Sequence, residues 1–165
     1  MKIKNLLLGA TALGLGLSAQ AQTTTIDIVG ATAFRSAAHT SIMAAYTTLN
    51  GYAHNQTAGN AGKASMVTYK GTFPGITGTT IIRCSYTGSV EGVRSLASST
   101  APADTFLTDA AITSAGENAG KTTPTQTGKT AMLAFSDVAQ SNTPFKTPAL
   151  AGGPVGVIAF APVIN

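Results

Sequence analysis

The sequence predicts an α/β fold, a mainly parallel sheet with flanking helices, on three observations. Apolar, β-rich runs recur at Ile26-Asp27-Ile28-Val29, over residues 79–86 and at Ala131-Met132-Leu133-Ala134-Phe135. The first two pass through a small polar turn into a helical pattern. Strand, turn and helix repeated in that order is the arrangement of parallel strands joined by crossover helices. Ligands of such folds bind beyond the carboxyl ends of the strands. The turns Gly30-Ala31-Thr32, Thr87-Gly88-Ser89 and Phe135-Ser136-Asp137 all stand at those ends.

The chain opens with Lys2 and Lys4, an apolar stretch over residues 6–17, and Ala19-Gln20-Ala21. Together these read as a cleavable secretory signal over residues 1–21, and the apolar stretch is too short to span a bilayer. After the first strand, Phe34, Ala38, Ile42, Ala45 and Leu49 recur at three- and four-residue steps, which predicts an amphipathic helix with Thr32 as N-cap and Asn50-Gly51 as its stop. Residues 51–65 are small and polar and read as loop, residues 66–70 as an edge strand, and residues 72–78 as turn. A core strand over 79–86 leads into a short helix over 90–97, with Val93, Leu96 and Ala97 on one side. Residues 98–130 are rich in Ser, Thr, Ala, Gly and Pro and read as a low-complexity surface insertion. Strands follow over 131–135 and 155–164, either side of a turn region around Pro144 and Pro148. The expected organisation is a signal over residues 1–21 and one partial lobe over residues 22–165, exported to the periplasm or beyond.

Composition narrows the function. The 165 residues are 44% hydrophobic and only 10% charged, with no Trp, enough for one modest core. The formal charge of +4 falls to +2 without Lys2 and Lys4, leaving eight basic side chains against six acidic ones. The basic residues are scattered, which speaks against a nucleic-acid partner and against a polybasic membrane patch. Cys84, the single cysteine, lies inside an apolar run and reads as a buried structural thiol.

Several motifs carry no chemistry on inspection. Thr127-Gly128-Lys129-Thr130 resembles the end of a phosphate-cradling loop, but Thr123 stands where its first glycine is required. His39 and His54 are isolated in sequence, with no cysteine or carboxylate at metal-ligand spacing, so neither a metal nor another cofactor is expected. Gly88-Ser89 lacks the glycine at position 87 that a nucleophile elbow needs, and no histidine follows it, so an enzyme is not expected. Asn55-Gln56-Thr57 fits a glycosylation sequon.

The three turns, in their order and with Gly92-Val93-Arg94 behind the second, resemble the first lobe of the periplasmic phosphate-binding protein of phosphate ABC transporters. The resemblance spans residues 26–165, with a gap at the insertion. It implies one α/β lobe of a two-lobe fold, with dehydrated phosphate in the cleft between the lobes and an ABC transporter permease as partner. Carried over motif by motif, it implies that Thr32 and the Ala33 N–H donate to phosphate oxygens, that Ser89 donates from hydroxyl and N–H with Gly88 beside it, and that Asp137 contacts the ligand. A carboxylate in an anion site makes sense when the ligand carries its own proton, since Asp137 can then accept a phosphate O–H that sulfate does not offer. The chain departs from the family at Ala33-Phe34-Arg35 and Val90-Glu91; Glu91 opposes an anion there, and Arg35 could offset it. The family's second lobe has no counterpart in these residues, so the expectation is a first lobe only. The alternative expectation is a surface or adhesion protein that reuses such a lobe, favoured by the Thr/Ala/Gly-rich composition.

Overall fold

The computed structural model describes residues 22–98 and 104–155. The signal over 1–21 and nearly all of the strand expected over 155–164 lie outside them. The chain is an α/β unit whose elements are β1 (Thr23–Gly30), α1 (Arg35–Ala45), β2 (Thr48–His54), β3 (Met66–Thr72), β4 (Thr79–Ser85), α2 (Ser89–Ala97), β5 (Asp104–Leu107), β6 (Gly116–Asn118), β7 (Thr125–Lys129) and β8 (Leu133–Phe135). Six strands form one sheet in the order β6-β2-β3-β4-β1-β8, and β5 and β7 form a separate ribbon.

The sheet is mixed and mostly parallel, as expected, with one antiparallel strand inside it. β1 runs parallel to both β4 and β8, and β2 to β6, while β3 is antiparallel to its neighbours β2 and β4. The departure comes from residues 48–72. Periodicity carries the first helix to Leu49, yet α1 stops at Ala45 and Tyr46 turns extended. Tyr46 is buried, with its ring 5.3 Å from that of Phe73 and its hydroxyl donating to the Tyr69 and Thr80 carbonyls at 3.4 and 3.3 Å. That anchoring pulls the chain out of the helix and starts β2, so Asn50-Gly51 lies within a strand, at a register shift, rather than ending a helix. The expected edge strand is therefore interior, since β2 lies outside β3 and is itself bordered by β6.

Residues 98–130, expected as a surface insertion, contribute three strands and part of the core. Phe106 and Leu107 of β5 are fully buried, and Thr68 of β3 donates its hydroxyl to the Leu107 carbonyl. The stretch looks featureless because its apolar residues are few and its partners are distant in sequence.

One core cluster includes Ile28, Ile42, Tyr46, Val67, Tyr69, Ile82 and Cys84; a second joins Val29, Phe106 and Ala131. Cys84 is fully buried, and burial pushes its thiol up to about 12. No helix among the described residues is long and apolar enough to cross a membrane.

Candidate functional site

Parallel pairing brings the three polar turns together. Val29 is level with Ser85 and Gly30 with Phe135, so β4, β1 and β8 end side by side. The Ala31 N–H donates to the Phe135 carbonyl at 2.8 Å, and the Gly88 N–H to the Gly30 carbonyl at 2.9 Å. Across these ends the Ser89 hydroxyl donates to the Asp137 carboxylate, 48 residues away.

Both helical segments that leave this edge start without a side-chain cap. Thr32 begins a 3-10 turn, Thr32–Phe34, that leads into α1, so it is not the N-cap that its position suggests; Ala31 precedes the turn and offers no capping side chain. Gly88 stands before α2 and caps nothing. The first N–H groups of both segments, including those of Thr32, Ala33 and Ser89, therefore have no capping side chain, and a helix start of this kind favours negative charge.

Thr32 and Ala33 are exposed, and the Thr32 hydroxyl has no hydrogen-bond partner among the described residues. Asp137 is exposed as well; one of its oxygens receives Ser89 and the other is uncommitted. Arg35 is turned onto the backbone, with Nε donating to the Thr32 carbonyl at 3.0 Å and Nη1 to that of Lys63 at 2.9 Å. Its guanidinium thus braces the first turn from behind. Glu91, a source of repulsion for an anion, pairs with Arg94 one helical turn on. Beside Asp137 opens a groove of about 770 Å³ with an apolar wall that includes Phe34, Val93, Leu96 and Ala134.

Sequence reasoning missed a polar cluster at the opposite side of the sheet. His54, isolated in sequence, is fully buried, and its Nε2 lies 2.8 Å from Glu117 Oε1. His39 Nδ1 lies 2.9 Å from the Tyr69 hydroxyl, and Tyr52 packs among His39, His54 and Tyr69 with ring centroids 5.4–6.1 Å apart. No spacing rule joins residues 54 and 117; the parallel pairing of β2 with β6 does. Among the described residues, no three His, Cys, Asp or Glu side chains converge as a metal site would require. Asn55 is also committed, its amide donating to Ser65 Oγ at 2.8 Å and its carbonyl accepting the Ser65 N–H at 3.1 Å, so the sequon asparagine is held by the fold.

This cluster makes stability pH-dependent. Burial, then the nearby His54, holds His39 below its ordinary value of 6.5, against a smaller opposing pull from Glu117. The Gly59 N–H and then His54 hold Glu117 below 4.5. The unfolded chain therefore takes up a proton at His39 more readily than the folded one, and stability falls as pH drops from above 6.5 through the folded value. Glu117 adds a loss in the same direction below 4.5. The urea midpoint is expected to fall between pH 7 and 5, and His39→Gln to flatten that slope; an unchanged slope in the variant would contradict the assignment to His39.

Compared with protein-family models, curated proteins and solved structures, the chain matches none.

Proposed function

We propose that this chain is an oxyanion-binding module, the first lobe of an exported two-lobe solute-binding protein, with phosphate as its ligand. The observation that carries the reading is the meeting of Ser89 and Asp137 between two uncapped helical starts. Backbone N–H groups of Thr32, Ala33 and Ser89 supply neutral donors, together with the Thr32 hydroxyl. They complement an anion without a nearby cation, because helix starts carry partial positive charge. Asp137 supplies the one acceptor. Its free oxygen takes a proton-bearing phosphate oxygen, and the same carboxylate repels sulfate, which has no proton to give. Ser89 holds the carboxylate in place.

A ligand on this edge is covered from one side only, so the affinity of the chain by itself is expected to be millimolar or weaker as an order of magnitude. Calorimetry with phosphate and with sulfate near neutral pH tests the reading. Heat from phosphate alone is expected, and Asp137→Asn is expected to let sulfate bind comparably. Equal heats for the two anions with the unaltered chain would refute the role given to Asp137.

A further inference from the structure

A second cavity, of about 280 Å³, lies on the β2–β6 side of the sheet, away from the edge where β4, β1 and β8 end. It is lined by Ser36 and His39 of α1, Tyr52 of β2, Asn60 and Lys63 of the following loop, and Glu117 of β6. Its carboxylate is fixed in position. Glu117 Oε1 accepts from His54 Nε2 at 2.8 Å and from the Gly59 N–H at 2.7 Å. His54 Nδ1 in turn accepts the Gln56 N–H at 3.2 Å, which holds the ring with Nε2 facing Glu117.

Two acceptor atoms around the cavity are uncommitted. Glu117 Oε2 and Asn60 Oδ1, both acceptors, have no partner among the described residues. His39 Nδ1 is engaged by the Tyr69 hydroxyl at 2.9 Å, which leaves Nε2 as the ring nitrogen without a partner among the described residues. Lys63 pairs with no carboxylate among the described residues. The cavity thus offers acceptors for an ammonium group together with a cation and an imidazole nitrogen for a carboxylate. Its volume lies below the usual range for drug-sized ligands and suits a molecule of about ten heavy atoms or fewer.

We propose that this cavity binds a small aminocarboxylate zwitterion, its ammonium on Glu117 and Asn60 and its carboxylate on Lys63 and His39. This site shares none of the residues assigned to the oxyanion and stands whether or not phosphate binds.

The test is a titration of the full chain followed by NMR of the His39 ring, at fixed pH and ionic strength. Its probes are glycine, β-alanine, methylammonium and acetate. Glycine or β-alanine is expected to give a saturable shift, with methylammonium and acetate each at least about tenfold weaker, because each half-ligand forgoes one charge-assisted contact. Lys63→Met, at an exposed position, is expected to weaken the zwitterion about tenfold and to leave methylammonium unchanged. No saturable shift with any probe would mean that Glu117 and His54 only fasten β6 and the 55–60 loop, and would overturn the proposal. Equal binding of either half-ligand, or an unaffected Lys63→Met variant, would overturn it too.

Discussion

Replacing Arg83 with Met is expected to destabilise the fold by about 3–5 kcal/mol, the cost of leaving a buried charge without its partner. Arg83 and Asp27 are register partners on β4 and β1, and each side chain is 8% exposed. Arg83 Nε and Nη2 donate to the two Asp27 oxygens at 2.6 and 2.7 Å, a two-pronged geometry that only arginine provides. Its Nη1 donates to Gln126 Oε1 at 2.6 Å, and its guanidinium carbon lies 5.5 Å from the centre of the Phe106 ring. The variant therefore strands the Asp27 carboxylate and releases the β5–β7 ribbon together. Replacing both members, Asp27→Leu with Arg83→Met, removes the stranded charge and is expected to recover most of the loss. Urea midpoints of the two variants, with hydrogen exchange over residues 104–129, check this. A double variant as unstable as the single one would show that the cost lies in packing or in the ribbon rather than in the unpaired carboxylate.

That pair also shows where the sequence was legible and where it was not. Asp27 inside Ile26-Asp27-Ile28-Val29, and Arg83 inside Ile81-Ile82-Arg83-Cys84, are charges in two core strands, and opposite charges so placed are a signal for a buried cross-strand pair. β1, β4 and α2 could be read because their apolar pattern is dense. β2 could not: Gly51, Asn50 and His54 disguise a strand whose support comes from Tyr46, from β3 and from β6. The ribbon could not either, because Phe106 and Leu107 are two apolar residues in a Thr-rich stretch, and their burial depends on Arg83 and Thr68. The same division holds for the sites. The polar turns could be read because each is a local turn that ends an apolar strand, and the first two open onto a helix. The contact between Ser89 and Asp137, and that between His54 and Glu117, exist only once the parallel register is set.

Gly30→Ala is expected to cost about 3 kcal/mol or more, and Gly88→Ala only about 1–2, although both glycines hold φ at +121°. The two positions share the same φ, so the difference reports mainly on crowding. A Cβ at Gly30 would fall inside the Phe135 carbonyl oxygen, the atom that receives the Ala31 N–H, whereas a Cβ at Gly88 would meet nothing within 4 Å. The same narrow passage explains Gly92: its Cβ would lie 2.8 Å from Gly30 Cα, so α2 crosses β1 with backbone close to backbone. That approach is what sets the start of α2 beside β1 and puts Ser89 within reach of Asp137. Gly30→Ala is therefore expected to abolish the phosphate heat even at temperatures where the variant stays folded, and Gly88→Ala to weaken it modestly. Thermal unfolding and calorimetry on both variants decide the matter. A Gly30→Ala chain that folds and binds phosphate like the unaltered one would show that the site does not depend on the level ends of β1, β4 and β8.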